Sequence, residues 1–468
     1  MSQQFTIIEA GIGQWRSAGI DEDGLPTSLN FHDDIAISPL DAIFDGRITK
    51  VDTTLDMAFL DLGNGLTGVL NFRRARLLVK GQVGSITDCV KEGDLLRVQV
   101  VSEPSALEDK ALPVTPRPRI TGRYTVAETG GARLNFSKDI SQKATARLKK
   151  ELAPLVSDAA VIVRARAGLV HETVVATEIK LLLEALGKPQ NGTGLIYAWS
   201  PAEKALLGIK TDETDIFAES GTTLSSLKNI AKNLWPDMVD RLQLFKGESK
   251  SAAFEELGVE EAIEEALSAR INMPSGGWIN ITPTPALTAV DVNLGGALKH
   301  MAAGEAILVT NMEATLALAY HLDFQDIGGI IIADFINMSA KGSTRELMQH
   351  IERTFRESRV PIQHTGISQF GLVEFTRKRS GLSLRDRLEK QRGPIERPAA
   401  MGLVLLRKAA RIGNSADVGT LVVQAPKATL NWIETNDGLL DQLRSKSQRT
   451  ILLEQASKAD TFIKADGS

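Results

Sequence analysis

The segment Gly328-Gly329-Ile330-Ile331-Ile332-Ala333-Asp334-Phe335-Ile336 leaves few roles open. An apolar run of this length, opened by two glycines, is far short of the ~18 residues of a membrane span and reads as a strand buried in a sheet. The densest α/β pattern of the chain surrounds it. Pro274-Ser275-Gly276-Gly277 breaks a preceding helix, and strands are expected at 278–281, 286–293 and 371–376. Helices are expected at 305–322 and from the capping box Ser343-Thr344-Arg345-Glu346 to about 358. The class is therefore α/β, and 468 residues should divide among several domains.

The chain before this region has a different texture. Residues 43–51, 57–62, 66–72 and 93–101 read as short strands, two of them joined through the turn Gly63-Asn64-Gly65. Such a run suggests a small barrel of the OB type. Pro113, Pro116 and Pro118 then mark a stiff linker. From 120 to 208 the pattern is α/β, with a basic helix at 141–155, a strand at 160–166 and a helix at 172–186. An acidic helix follows at 259–270, and Pro394 and Pro398 mark a boundary before a small α/β unit. Gly11-Ile12-Gly13 is no dinucleotide fingerprint, because Arg16 stands where the third glycine belongs; it reads as a hairpin turn.

Composition narrows the function. Lys plus Arg total 54 and Asp plus Glu 58, a net charge of -4. That argues mildly against nucleic acid, but residues 341–392 hold 12 basic and 6 acidic residues and leave -10 for the rest. A chain acidic overall can still offer one basic face to phosphates. The single cysteine, Cys89, excludes a disulfide framework and any site needing several thiolates. The first residues lack a basic segment followed by an apolar run, so no signal peptide and no membrane span are expected, and the cytoplasm is the expected compartment.

Asp291, in Leu287-Thr288-Ala289-Val290-Asp291-Val292-Asn293, and Asp334 are the strongest chemical candidates. A charged carboxylate in apolar surroundings is costly unless it is paired or bound to a cation. Strand alternation puts Asp291 and Asn293 on one face. Two carboxylates and an amide converging from neighbouring strand ends suit Mg²⁺, which keeps several waters for a phosphate substrate. The basic run Arg377-Lys378-Arg379 would hold a phosphodiester backbone beside them. The six histidines form no metal-type spacing, and most read as structural or solvated. No Gly-x-Ser-x-Gly or Gly-x-x-x-x-Gly-Lys occurs, which argues against a serine hydrolase and a P-loop enzyme.

At these residues the chain resembles the bacterial ribonuclease E/G family of single-strand-specific endoribonucleases. Pro274 to Gly277, Ala286 to Asn293, Gly328 to Met338 and Phe370 to Arg377 follow that family's catalytic motifs in order. The resemblance implies an RNase H-like fold split between 1–39 and 210–273. It implies an S1-type OB domain at 40–119 and a 5′-sensor-like domain at 120–209 inserted within it. A DNase I-like catalytic domain at 274–393 and a small C-terminal domain at 400–468 would follow. It implies that Asp291 and Asp334 bind magnesium, that Asn293 orients one of them, and that Phe59 and Lys110 contact RNA on the OB domain. Arg164 and Arg166 fall in the 5′-sensor motif, which reads Val163-Arg164-Ala165-Arg166-Ala167-Gly168 and lacks the family's threonine. Further departures are Asn337 for Asp, Pro285 for Glu, Gln369 for Arg and Val69 for the second OB aromatic. The family's Cys-x-x-Cys zinc link should lie near 391–400, where this chain has no cysteine. No zinc is expected, and a homo-oligomer would have to form through another surface.

Two readings follow. One is a Mg²⁺-dependent endoribonuclease that cuts single-stranded RNA in processing or decay of rRNA or mRNA, with Arg377 and Lys378 among its RNA contacts. The other is an RNA-binding protein from the same family with weak or no catalysis, motivated by the missing zinc link, the altered sensor and the lost aromatic. A DNA nuclease on the same metal logic is disfavoured by the OB pattern.

Overall fold

The computed structural model describes residues 3–103, 110–209, 214–247, 252–284, 286–296, 302–356, 358, 360–379, 381–388, 391–392, 395–413, 418–436 and 438–465. Pro285, one of the family departures, lies outside them.

The first sheet is assembled from two distant parts of the chain. Gln3–Ala10, Gln14–Asp21 and Pro26–Asp33 form an antiparallel meander. Asp215–Ala218 and Leu242–Leu244 then add in parallel on the outer side of the first strand. Gly11 to Gly13 form the hairpin turn that their spacing suggests, with Gly13 at φ +67°. Everything between Asp33 and Asp215 is an excursion from this sheet.

That excursion begins with a five-stranded barrel. Ile43–Asp52, Met57–Asp61, Thr67–Asn71, Leu112–Thr115 and Leu95–Val100 pair in that order, and the last closes onto the first. The free edge at the start of Ile43–Asp52 is covered by a sixth strand, Gly194–Tyr197. The turn at Asn64 holds positive φ as expected. The proline segment is not simply a linker: Leu112–Thr115, with Pro113 paired to Val69, is the strand that completes the barrel. A four-stranded sheet, ordered Arg133–Phe136, Ala159–Val163, Thr125–Thr129 and Arg119–Thr121, follows with helices Gln142–Leu152 and Glu172–Gly187. The strand ends at Val163, so Arg166 lies in a short 3-10 turn and not in the strand expected there.

This unit is tied to the first sheet by one buried carboxylate. Glu178 accepts the backbone N–H groups of Arg123 (2.7 Å), Tyr124 (3.0 Å) and Thr125 (2.8 Å), the Thr125 hydroxyl (2.8 Å) and Trp235 Nε1–H (2.8 Å). Trp235 caps helix Gly221–Leu234, which follows the strand Asp215–Ala218 of the first sheet.

A six-stranded sheet runs Ile271–Asn272, Trp278–Pro283, Thr288–Asn293, Gly329–Asp334, Leu372–Arg377, Ile362–His364. Helices Ala303–Phe324 and Lys341–Arg356 pack on one face through Ala314, Leu318, Leu347, Ile351 and Phe355. The second helix starts at Lys341, so Ser343 sits inside its first turn and the expected capping box is not its N-terminus. The central strand also departs from its expected double burial. Ile331 and Ala333 face the helices, while Ile330 on the opposite face is 50% exposed. The run is continuous in hydropathy, yet one side of the sheet is open.

The last unit has Thr420–Ala425 flanked by Ile451–Gln455 and Asp460–Lys464, with helices Pro398–Gly413, Lys427–Thr435 and Leu439–Ser447. It docks on the first sheet through Ile12, which is buried in its core, and through Arg411, whose Nη2 donates to Glu9 Oε1 (2.9 Å). Within the sheet Arg16 Nε donates to the same carboxylate at Oε2 (2.7 Å). Burial alone would raise the Glu9 carboxyl, but Arg16, Arg407 and Arg411 outweigh it and hold it at about 2.

Glu103 shows the opposite balance. Burial pushes its carboxyl up to about 7, against the pull of the Ser38 hydroxyl and Arg387. The folded chain therefore binds a proton there that the unfolded chain has released above ~4.3. Stability contributed by this group falls as pH rises through that window. Glu103→Gln is expected to stabilise the protein at pH 8 by about 2 kcal/mol and to change little at pH 4. Urea unfolding at both values checks this; an equal effect at both would refute it. His32 and His321 are buried and burial holds both well below the usual imidazole range, consistent with the structural role read from their spacing.

Candidate active site

Asp291 and Asp334 stand directly opposite each other on the adjacent parallel strands Thr288–Asn293 and Gly329–Asp334. Val290 and Val292, and Ile331 and Ala333, turn into the core, so alternation places both aspartates on the open face. Asn293, two residues further on the same face, donates from Nδ2 to Asp291 Oδ2 at 2.8 Å. Both carboxylates are exposed, so the argument from burial in apolar surroundings does not hold. Another takes its place: strands lie ~4.8 Å apart, and like charges directly opposite repel. A divalent cation between them removes that repulsion.

Among the described residues no group of three or more His, Cys, Asp or Glu could hold a metal. The donor set is two carboxylates, with an amide fixing one. That set fits a hard cation that keeps most of its waters, as Mg²⁺ does.

The end of the Asp334 strand is held from below. Asn311, buried in helix Ala303–Phe324, accepts Ile336 N–H (3.0 Å) and donates to Ile336 C=O (2.8 Å). Gly371 adds a second constraint. It has φ +86°, and a Cβ there would fall 2.7 Å from Asn337 Oδ1 and 3.2 Å from Phe335 C=O. Asn311→Leu would leave the Ile336 N–H and C=O without partners and is expected to cost about 2–3 kcal/mol. It should also slow any reaction that uses Asp334. Denaturant unfolding and a rate measurement on the same preparation check both; wild-type values for both would refute the anchoring role.

The basic run does not reach this site as expected. Arg377 is buried on the helix-packed face, where its guanidinium donates to Asp326 Oδ1 (2.8 Å), Ile327 C=O (2.9 Å) and Asp323 Oδ1 (3.2 Å). It is committed to the fold because alternation from Val373 and Phe375 turns it inward. Lys378 is exposed, but Arg377 pairs with Gly329, five residues from Asp334 and thus ~17 Å away along the strand. Lys378 instead lines a cleft of about 810 Å³ with Arg117, Arg119, Tyr197 and Trp199.

The other expected contacts lie on separate units. Phe59 is half-buried on the barrel, paired with Val69 and with Lys50, whose ammonium is 6.0 Å from the ring centroid. Lys110 is exposed next to the closing barrel strand. Arg164 donates to Gly122 C=O (2.6 Å) and Arg166 to Ile209 C=O (3.1 Å), so both guanidinium groups are engaged with backbone. The structure thus brings Asp291, Asn293 and Asp334 together and places the expected cations elsewhere.

Sequence reasoning did not single out Asn311 or Arg270, and it gave Phe370, at the head of a family motif, no role. Phe370 is 71% exposed just before Leu372, the strand partner of Asp334. Asn311 gave no signal, being one polar residue within a helix.

A two-carboxylate site on the open face of a sheet, joined in one chain to a five-stranded barrel, defines the class: a multidomain α/β protein with a candidate metal site. The model of the Ribonuclease E/G family matches residues 119–380, more than half of the chain. The chain belongs to that family. It is 29% identical over 411 residues to ribonuclease G of Escherichia coli strain K12, covering 82% of this chain and 83% of the relative. It is 28% identical over 429 residues to ribonuclease G of Haemophilus influenzae, covering 86% of each. It is also 28% identical over 357 residues to ribonuclease E of Nostoc sp., covering 73% of this chain and 51% of the relative.

Proposed function

We propose that this chain is a Mg²⁺-dependent endoribonuclease acting on single-stranded RNA. The observation that carries the reading is the direct opposition of Asp291 and Asp334, with Asn293 locking one of them. Two exposed like charges facing each other have no structural use, and family membership supplies the matching chemistry. Bound there, Mg²⁺ would activate water for attack on a phosphodiester, leaving 5′-phosphate and 3′-hydroxyl ends. The protein's own part is geometric. Asp291 and Asp334 set the position of the cation, the Asn293 amide fixes the Asp291 carboxylate, and Asn311 holds the end of the Asp334 strand.

On this reading the split first sheet is the RNase H-like unit and the barrel is the S1-type OB domain, with Phe59 as a stacking surface that tolerates any base. The sheet around Arg119–Thr121 is the sensor-like unit, and the six-stranded sheet carries catalysis. The cleft holding Lys378, Arg117 and Arg119 would carry RNA between units. No helix among the described residues is long and apolar enough to cross a membrane; the cytoplasm is the proposed compartment.

The test is cleavage of a 5′-monophosphorylated, A/U-rich single-stranded RNA with Mg²⁺ or with EDTA. Cutting with Mg²⁺ alone is expected. Retention of the RNA at low salt without cutting in either buffer would replace this reading with a binding protein.

A further inference from the structure

We propose that Arg270 is a phosphate clamp beside the carboxylate pair, an assignment that rests on the RNA reading above. A polyanion placed beside Asp291 and Asp334 needs cations close by to offset their repulsion, and Arg377 is spent inside the fold. Arg270 immediately precedes the edge strand Ile271–Asn272 and is exposed. Its guanidinium lies 3.8 Å from the centroid of the Trp278 ring. Its Nε donates to Asn272 Oδ1 at 2.9 Å.

The platform beneath it is also fixed. Trp278 lies opposite both Asn272 and Asn293 across its two neighbouring strands, one row from Asp291. The Gly295 backbone comes so close that a Cβ there would fall 2.7 Å from the Trp278 ring. The ring is therefore held, and the guanidinium plane is held on the ring. Among the described residues the two Nη groups of Arg270 take no partner, so their N–H donors remain for a ligand. Two strand spacings separate the backbones of Arg270 and Asp291 by ~10 Å, on the same face of the sheet. A planar, pre-organised guanidinium with spare donors is suited to a phosphate oxygen pair. The ligand is the phosphodiester next to the one being cut.

The assignment predicts a sequence-independent contact with a counterion signature. Binding of a fluorescein-labelled, A/U-rich single-stranded RNA is measured in EDTA from 50 to 300 mM salt, so that nothing is cut. Arg270→Ala is expected to weaken binding about tenfold at ~100 mM salt and to reduce the slope of log K against log salt by ~0.7, the value for one phosphate of a single strand. Arg270→Lys should keep most of the slope and lose part of the affinity, because a point charge remains without the fork. Trp278→Leu should lower affinity with the slope largely kept. Wild-type affinity and slope in Arg270→Ala would overturn the proposal. A loss of affinity with an unchanged slope would also overturn it, since a merely structural side chain alters affinity without altering the counterions released. The two readings fail separately: RNA bound but never cut by the wild type removes the nuclease, whereas cutting with an unaffected Arg270→Ala removes the clamp.

Discussion

Asp291→Asn and Asp334→Asn are each expected to lower RNA cleavage in Mg²⁺ by at least ~10³-fold, on the order of 4 kcal/mol in transition-state stabilisation. The effect is large because the donor set is minimal. With two carboxylates and, among the described residues, no cluster of three or more acidic, histidine or cysteine groups, losing one leaves a single charge for a cation that gives up its water reluctantly. Asn293→Ala should fall between, at roughly 10–100-fold, as for groups that orient a ligand. The stability readout separates this from misfolding. The two aspartates face each other across adjacent strands, so replacing one removes repulsion. The thermal midpoint in EDTA should therefore stay level or rise slightly for both Asp→Asn variants. Near wild-type cleavage by either one would remove that residue from the site; a collapsed midpoint in both would make the pair structural.

The largest stability loss is expected far from that site. Glu178→Ala removes the shared acceptor of three backbone N–H groups, a hydroxyl and an indole N–H, all in a closed interior. Burial pushes the Glu178 carboxyl up while these donors pull it down. Stripping an acceptor from buried donors costs about 1–3 kcal/mol per group, and removing the carboxylate as a whole should cost about 3–5 kcal/mol. Gly122 packs tightly against this group: a Cβ there would fall 2.5 Å from the Glu178 carboxyl carbon. Glu178→Gln should recover part of the loss, since one oxygen still accepts. Denaturant unfolding checks the order wild type, Gln, Ala; a loss under ~1 kcal/mol for Ala would show that the joint between the four-stranded sheet and helix Gly221–Leu234 does not depend on it.

Local pattern carried much of this protein. Strands at 288–293, 329–334 and 372–377, the helices flanking them and the turn at Asn64 were legible, because alternation, apolar runs and Asn-Gly turns act over a few residues. The same alternation singled out Asp291 and Asn293 as candidates on one strand face, with Asp334 as the third. Pairing between segments was not legible. The closing barrel strand Leu112–Thr115 looked like a linker because its prolines signal a break, yet Pro113 needs no N–H donor in the position it takes.

Charge was the least legible feature. Arg377, Lys378 and Arg379 read as one basic run, but consecutive strand residues point to opposite faces, and burial of Val373 and Phe375 turned Arg377 inward to Asp323 and Asp326. In contrast, Arg270 stood amid an acidic stretch with no signal of its own, and only the pairing of Asn272 with Trp278 set its guanidinium on a ring beside Asn293. Local periodicity was enough for most elements, the α/β class and the choice of three candidate residues, because it acts within a few residues of chain. Tertiary structure alone decided which sheet face stayed open, which cations were spent inside the fold and which reached the site, because those depend on what lies across from each strand.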